Sequence, residues 1–222
     1  MNSLALQDRN FSEGISKWYL SLGRNNLPWR KNVSPYRVWI SEIMLQQTQV
    51  KTVVPFFKRF IKKYPSLKSI SNASEEEILA LWTGLGFYRR AKNIFKTKEI
   101  IKKDFKNIFP KKFDELILLP GIGKSTAGAI MSIAYQKPYP ILDANVKRVI
   151  SRYKNIDLDN RDSIKKLWLL SEELTPEENI FEYTQGIMDL GATICSTRSP
   201  TCMNCPINKS CINSVSYTHL TL

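Results

Sequence analysis

Apolar residues recur at three- and four-residue intervals along nearly the whole chain. "YRVWISEIMLQQ", "VVPFFKRFIKKY", "EEEILALW", "FDELILL", "NVKRVISRY" and "IKKLWLLSEEL" each place them on one face of a helix. Helix-start signals stand nearby: Ser34-Pro35 before Tyr36, "SNASEEE" before Ile78, and Thr175-Pro176-Glu177. No convincing run alternates apolar and polar residues as a half-buried strand does, and no repeat of solenoid period occurs. The pattern predicts an all-α protein with short connections.

Charge narrows the partner. Lys and Arg exceed Asp and Glu by 33 to 20, a net charge of +13 on 222 residues. That excess points to a polyanion, nucleic acid ahead of an acidic membrane, although a lysine-rich composition bias gives the same number. Length and 43% hydrophobic content suffice for one or two domains with a real core. Ten basic residues fall between Arg89 and Lys112, interleaved with Ile94, Phe95, Ile100, Ile101 and Phe105. Most of them read as the solvated face of an amphipathic helix. The apolar runs are too short to span a bilayer, and "MNSLALQDRN" lacks the basic start and apolar core of a signal peptide, so a soluble, cytoplasmic protein is expected. The last residues, 214–222, "SVSYTHLTL", carry no charged side chain and no helical stripe, and read as an anomalous or disordered tail.

"LLPGIGKSTAGAI" (118–130) has the look of a backbone loop that cradles phosphate. A nucleotide-binding P-loop would need glycine at position 118, where leucine stands, and a buried strand before it, where "FDELILL" is helix-like. What remains is a helix, a hairpin containing Gly121 and Gly123, and a second helix whose free amides and partial positive charge suit a DNA backbone. An ordinary glycine-containing helix–helix turn fits the same residues.

Cys195, Cys202, Cys205 and Cys211 are the four cysteines, spaced C-x6-C-x2-C-x5-C. Disulfides are not expected in the cytoplasm, so four clustered thiols point to a metal site, zinc or an iron–sulfur cluster. The single short pair with long arms favours the larger cluster only modestly. Two carboxylates complete the candidate chemistry. Glu42 shares a helix face with Val38, Trp39, Leu45 and Gln46, where burial would raise its pKa and suit it to acid–base work, though a satisfied structural glutamate looks the same. Asp143 precedes the helix of "ANVKRV" and reads as its N-cap. An N-cap carboxylate can turn its second oxygen into a cleft, and a carboxylate pair is the equipment for breaking a glycosidic bond.

Taken together, "LPWRKNVSPYRVWISEIMLQQTQV", "LWTGLGFYRRAKN", "LPGIGKSTAGAI", "ILDANVKRV" and "MDLGATICSTRSPTCMNCPINKSC" resemble the catalytic half of the MutY family of adenine DNA glycosylases, within the helix-hairpin-helix, endonuclease III-like class. The resemblance covers Leu27 to Cys211; the family's C-terminal 8-oxoguanine-recognition domain has no counterpart in these residues. It implies a six-helix domain over 27–137, an iron–sulfur cluster domain from 1–26 with 138–213, and an active site between Glu42 and Asp143. By motif, Glu42 would protonate adenine at N7 and help activate water, Asp143 would stabilise the C1′ cation, and Asn145 would support it. Ser125 stands where bifunctional relatives carry a Schiff-base lysine, and Lys124 one residue earlier points about 100° away. The resemblance also implies DNA contacts for Arg30, Gln46, Gln47, Phe87, Tyr88, Gly121, Gly123, Lys124 and Gln185, with Gln46 and Gln47 on the helix facing the lesion. Phe87 stands where the family usually has a stacking tyrosine. The implied protein is a bacterial, nucleoid-associated monomer that carries a [4Fe–4S] cluster on its four cysteines. It would remove adenine paired with 8-oxoguanine or guanine from duplex DNA, without cutting the strand. A G:T or G:U mismatch glycosylase, an endonuclease III-like enzyme and a non-catalytic DNA-binding module stay open beside it.

Overall fold

Helices follow one another with short links and, among the described residues, no strand intervenes. The computed structural model describes residues 3–214, with side chains from residue 10 onward; the uncharged tail, apart from Ser214, lies outside the described residues. In chain order the helices are α1 (Ser3–Leu22), α2 (Pro35–Leu45), α3 (Val50–Lys63), α4 (Leu67–Ile70), α5 (Glu75–Trp82), α6 (Arg89–Asp104), α7 (Phe113–Ile117), α8 (Lys124–Ala129), α9 (Ala144–Tyr153), α10 (Ser163–Glu173) and α11 (Ile180–Thr193). None of the described helices is long and apolar enough to cross a membrane.

Local chemistry sets the starts. Ser34 Oγ accepts from Arg37 N at 3.3 Å, and Pro35 opens α2 where no amide is needed. Ser74 and Glu77 form a reciprocal capping box on α5, and Glu75, Glu76 and Glu77 complement the positive end of its dipole.

The chain divides into two compact units, each described by itself. Asn25–Tyr135 carries α2 to α8. Its centre is α2, packed against α3, α6 and α8; Trp39, Ile40, Ile43 and Met44 of α2 are buried, as are Phe57, Phe60, Trp82 and Ile94 of the same unit. Side chains of this kind contribute about 1.5–3 kcal/mol each on full burial. The other unit combines Met1–Arg24 with Gln136–Leu222. There α1 lies along α11, and a side chain at Gly186 would come within 2.8 Å of Ile15, so this glycine sets the approach. At the end of α1, Arg24 donates from its backbone N and Nε (2.8 Å each) and Nη2 (2.6 Å) to the fully buried carboxylate of Asp189.

One local expectation gains exceptions and another changes. The basic run is not all solvated: Arg90 and Lys98 are buried on the same stripe of α6 as Ile94 and Ile101. Lys98 Nζ donates to Ser71 O at 3.2 Å and to the Glu99 carboxylate. And α2 stops at Leu45, so Gln46 is its C-cap and Gln47 turns into the left-handed region at φ 55° instead of continuing the helix.

Candidate active site

In the Asn25–Tyr135 unit, a turn joins α7 to α8, and π-helical Ile130–Ala134 prolongs the second helix. Gly121 has φ 82°, a backbone conformation that favours glycine, and a Cβ there would press on the Asn93 side chain at 2.8 Å. Gly123 is the N-cap of α8 and gives no side-chain cap; a Cβ on it would meet nothing. The leading amides of α8 therefore start at an open, side-chain-free approach, the geometry a phosphate needs. Lys124 is exposed and Ser125 half-buried on the first turn.

Glu42 is half-buried on α2, with buried Val38 and Trp39 one turn back and half-buried Leu45 and Gln46 one turn on. From the C-cap, Gln46 Nε2 donates to Gly121 O at 3.2 Å, tying the end of α2 to the hairpin. The loop from α5 to α6 winds through Gly84 (φ 94°), Gly86 (φ 77°) and Phe87 (φ 49°), and presents Phe87 and Tyr88 at 56% and 46% exposure. Large aromatics held outward in that way are available for stacking. Arg30 ends the 3-10 turn Pro28–Arg30 and is half-buried.

The other unit places its carboxylate by capping. Asp143 Oδ1 accepts from Val146 N at 2.7 Å, and Oδ2 accepts from Asn145 Nδ2 at 3.4 Å. The residue is partly exposed, but its carboxyl group is enclosed, and burial raises its pKa against the opposing pull of the Val146 amide, Asn145 and Arg148. Asn145 is itself oriented: its Oδ1 accepts from Arg148 Nη2 at 2.8 Å. Arg148 also donates from Nε to Cys195 O at 2.8 Å and from Nη2 to Gly191 O. Position 191 must be small, because a Cβ there would lie 2.6 Å from Asn145 Cβ. Gln185 sits on α11 and is 3% exposed, so it offers almost no surface outward.

The four cysteines are free thiols that line one cavity of about 340 Å³, with Val149, Leu190, Ile194 and Ile207 as apolar wall. Burial pushes the Cys205 thiol up to about 12, and the other three thiols add to it; Cys211 is raised by burial as well. Burial disfavours the thiolates of Cys205 and Cys211, and a cation bound beside them would offset that cost. Arg152 Nη1 donates to Cys195 Sγ at 3.4 Å and to Ser196 O at 2.7 Å, so α9 braces the cysteine loop directly. Among the described residues, no three His, Cys, Asp or Glu side chains form a group that could hold a metal ion.

The profile of the family described as "HhH-GPD superfamily base excision DNA repair protein" matches residues 40–173, a span that takes in Glu42, the hairpin and Asp143. The chain belongs to this superfamily. Within the HhH-GPD superfamily, it is 50% identical over 207 residues to the adenine DNA glycosylase of Buchnera aphidicola subsp. Acyrthosiphon pisum (strain APS), a match covering 92% of this chain and 59% of the relative. It is 37% identical over 212 residues to the adenine DNA glycosylase of Rattus norvegicus, covering 90% of this chain and 41% of that one. The chain thus spans less than two thirds of the length of these curated relatives. Among solved structures, a thermostable thymine-DNA glycosylase superposes with a TM-score of 0.85 at 28% identity, over 97% of this chain and all of its own. Endonuclease III in a non-covalent DNA complex shares the HhH-GPD fold at a TM-score of 0.80 and 23% identity, over 99% and 100%.

Sequence reasoning gave no positioning role to Arg90 in the Asn25–Tyr135 unit, or to Arg148 and Arg24 in the other. Each carries its signal in part. Arg90 precedes Ile94 by one turn on the apolar stripe of α6, and Arg148 lies three residues after Asn145 on one face of α9. Arg24 has no local signal, because its partner Asp189 is 165 positions away.

Proposed function

We propose that this chain removes adenine from duplex DNA, opposite 8-oxoguanine or guanine, by hydrolysing the N-glycosidic bond. The observation that carries the reading is the enclosed Asp143 carboxylate, oriented by Val146 N and Asn145 on a chain whose curated relatives are adenine DNA glycosylases. Glu42 gives its proton to adenine N7 as the C1′–N9 bond breaks and its electron pair leaves with the base. Asp143 stabilises the cation left at C1′, with Asn145 holding the carboxylate in place. Water then adds to C1′ and returns its proton to Glu42, leaving free adenine and an abasic sugar. The open hairpin at Gly121–Lys124 would grip the backbone, and Phe87, Tyr88, Gln46 and Gln47 would meet the bases and the opposite strand. Acting on chromosomal DNA places the enzyme in the nucleoid-bearing cytoplasm. The test is single-turnover excision on A:8-oxoguanine, A:G, G:T and G:U duplexes. Release of thymine or uracil with adenine untouched would overturn the substrate, and the likeness to a thymine-DNA glycosylase makes that the outcome to watch.

Ser125 sets the reaction type. A hydroxyl at this position cannot form a Schiff base with C1′, and Lys124 leaves the helix about 100° away. Borohydride is expected to trap no protein–DNA adduct, and product strands are expected to break only after alkali. Efficient trapping would overturn this and implicate Lys124. Ser125→Lys is expected to gain weak strand cleavage.

Cys195, Cys202, Cys205 and Cys211 would hold the [4Fe–4S] cluster, a reading supported by the cavity of about 340 Å³ that they line together; as placed they form no group that could hold a metal ion, so the loop would draw together on binding. Held by these four thiolates, the cluster would tie the cysteine loop together. The purified protein is expected to be brown, with about four irons per chain. Cys202→Ser is expected to lower both iron content and melting temperature. A colourless protein holding one zinc would sink the assignment.

A further inference from the structure

One buried cation serves two exposed turns of the Asn25–Tyr135 unit at once. Arg90 is 6% exposed. Its Nη1 is shared among the carbonyls of Ile43, Met44 and Gln46 at 3.1, 2.7 and 2.6 Å, groups at the C-terminal end of α2 that have no partner further along the helix. Its Nη2 donates to Gly86 O at 3.2 Å, a carbonyl that also accepts from Trp82 Nε1 at 2.9 Å. The guanidinium lies 5.1 Å from the centre of the Phe87 ring and 5.4 Å from that of Trp82.

Both turns need such a hold. Gln47 and Phe87 are non-glycine residues at φ 55° and 49°, a region that persists only where the surroundings impose it. Gln46, whose carbonyl Arg90 grips, reaches with its side chain to Gly121 O of the hairpin. The chain of contacts therefore runs from hairpin to Gln46, through Arg90, to Gly86 and Phe87.

Resting on the DNA-facing reading above, we propose that Arg90 is a positioning residue that locks Phe87 and the Gln46–Gln47 turn in one register, so that stacking into the duplex and contact with the opposite strand are set together. A lysine at 90 keeps the charge and can still reach the carbonyls of α2. It lacks the flat fork that also reaches Gly86 and lies against the Phe87 ring. Arg90→Lys is therefore the informative variant, with Arg90→Met as the stronger one.

The test is a double-mutant cycle on the full chain with Phe87→Ala. Two quantities are read on A:G duplexes: affinity, and the fluorescence of 2-aminopurine placed beside the mispair, which reports unstacking. Arg90→Lys is expected to lower affinity and the fluorescence gain by about tenfold while melting stays near that of the parent, a size within the range of contact-network couplings. In the Phe87→Ala background the same substitution is expected to cost less than about twofold. Equal cost in both backgrounds, or no cost from Arg90→Lys, would overturn the proposal and leave Arg90 as a stability residue. If Arg90→Met fails to fold, Arg90→Lys decides alone. Binding and stacking are measured here without chemistry, so a parent chain that binds but excises no adenine would defeat the proposed reaction and leave this test standing.

Discussion

Glu42→Gln is expected to lower single-turnover adenine excision by about 10²–10⁴-fold, the range that a placed general acid contributes. Glutamine has the shape of glutamate and no proton to give, so mispair-duplex affinity is expected to stay nearly unchanged. The position on α2 explains why the effect should be confined to chemistry. The helix is fixed by buried Trp39, Ile40, Ile43 and Met44, none of which the substitution touches. Glu42→Asp offers a sharper check: it keeps the acid but withdraws it by one methylene, and a displacement of about 1 Å is expected to cost about 10²-fold. Near-normal excision by Glu42→Gln would move the acid role to another group.

Asp143→Asn is expected to lose about 10²–10³-fold in excision and to gain stability, a combination that an ordinary structural aspartate would not give. Burial raises the carboxyl pKa, so the folded chain holds that proton to a higher pH than the unfolded chain does. Stability from the protonated form is full below the ordinary aspartate range and is lost as pH rises through the raised value. At neutral pH the buried charge is therefore a net cost. Asparagine caps a helix about as well as aspartate and carries no charge, so α9 keeps its start. A higher melting temperature at neutral pH is therefore expected for the variant. Parent excision is expected to fall on the acid side at a pH above the usual aspartate range, and that limb is expected to be absent in the variant. A variant that loses both activity and stability would show that the cap, not the charge, was removed.

Much of the architecture was legible because it is written locally. Apolar spacing marks α2, α3, α5, α9 and α10, and the caps at Ser34, Ser74 and Asp143 all precede the runs they start. The hairpin was legible from its glycines; cysteine spacing pointed to a metal site, and the four thiols line one cavity without forming, as placed, a group that could hold a metal ion. What escaped depends on distant partners. Nothing in "MLQQTQV" marks a helix end at Leu45, since both glutamines favour helix continuation. The carbonyls there are taken by Arg90, more than forty residues later, in a run of charges that reads as surface. Gln185 was equally illegible in its burial: it lies 3% exposed in α11, where no spacing rule separates an inward glutamine from an outward one.

The pairing of Arg24 with Asp189 has a consequence for how the chain is made. Asn25–Tyr135 is continuous in sequence and can fold as soon as it leaves the ribosome. The segment ending at Arg24 emerges first, yet the helix it packs on begins only at Ile180. At ordinary rates of synthesis that wait is on the order of ten seconds. Through that interval Phe11, Ile15, Trp18 and Tyr19, all buried in the finished protein, have no α11 to cover them. Slow translation beyond position 135 therefore prolongs the exposure of a sticky leading helix, and chaperone demand during synthesis should track the speed of the second half of the message rather than the first.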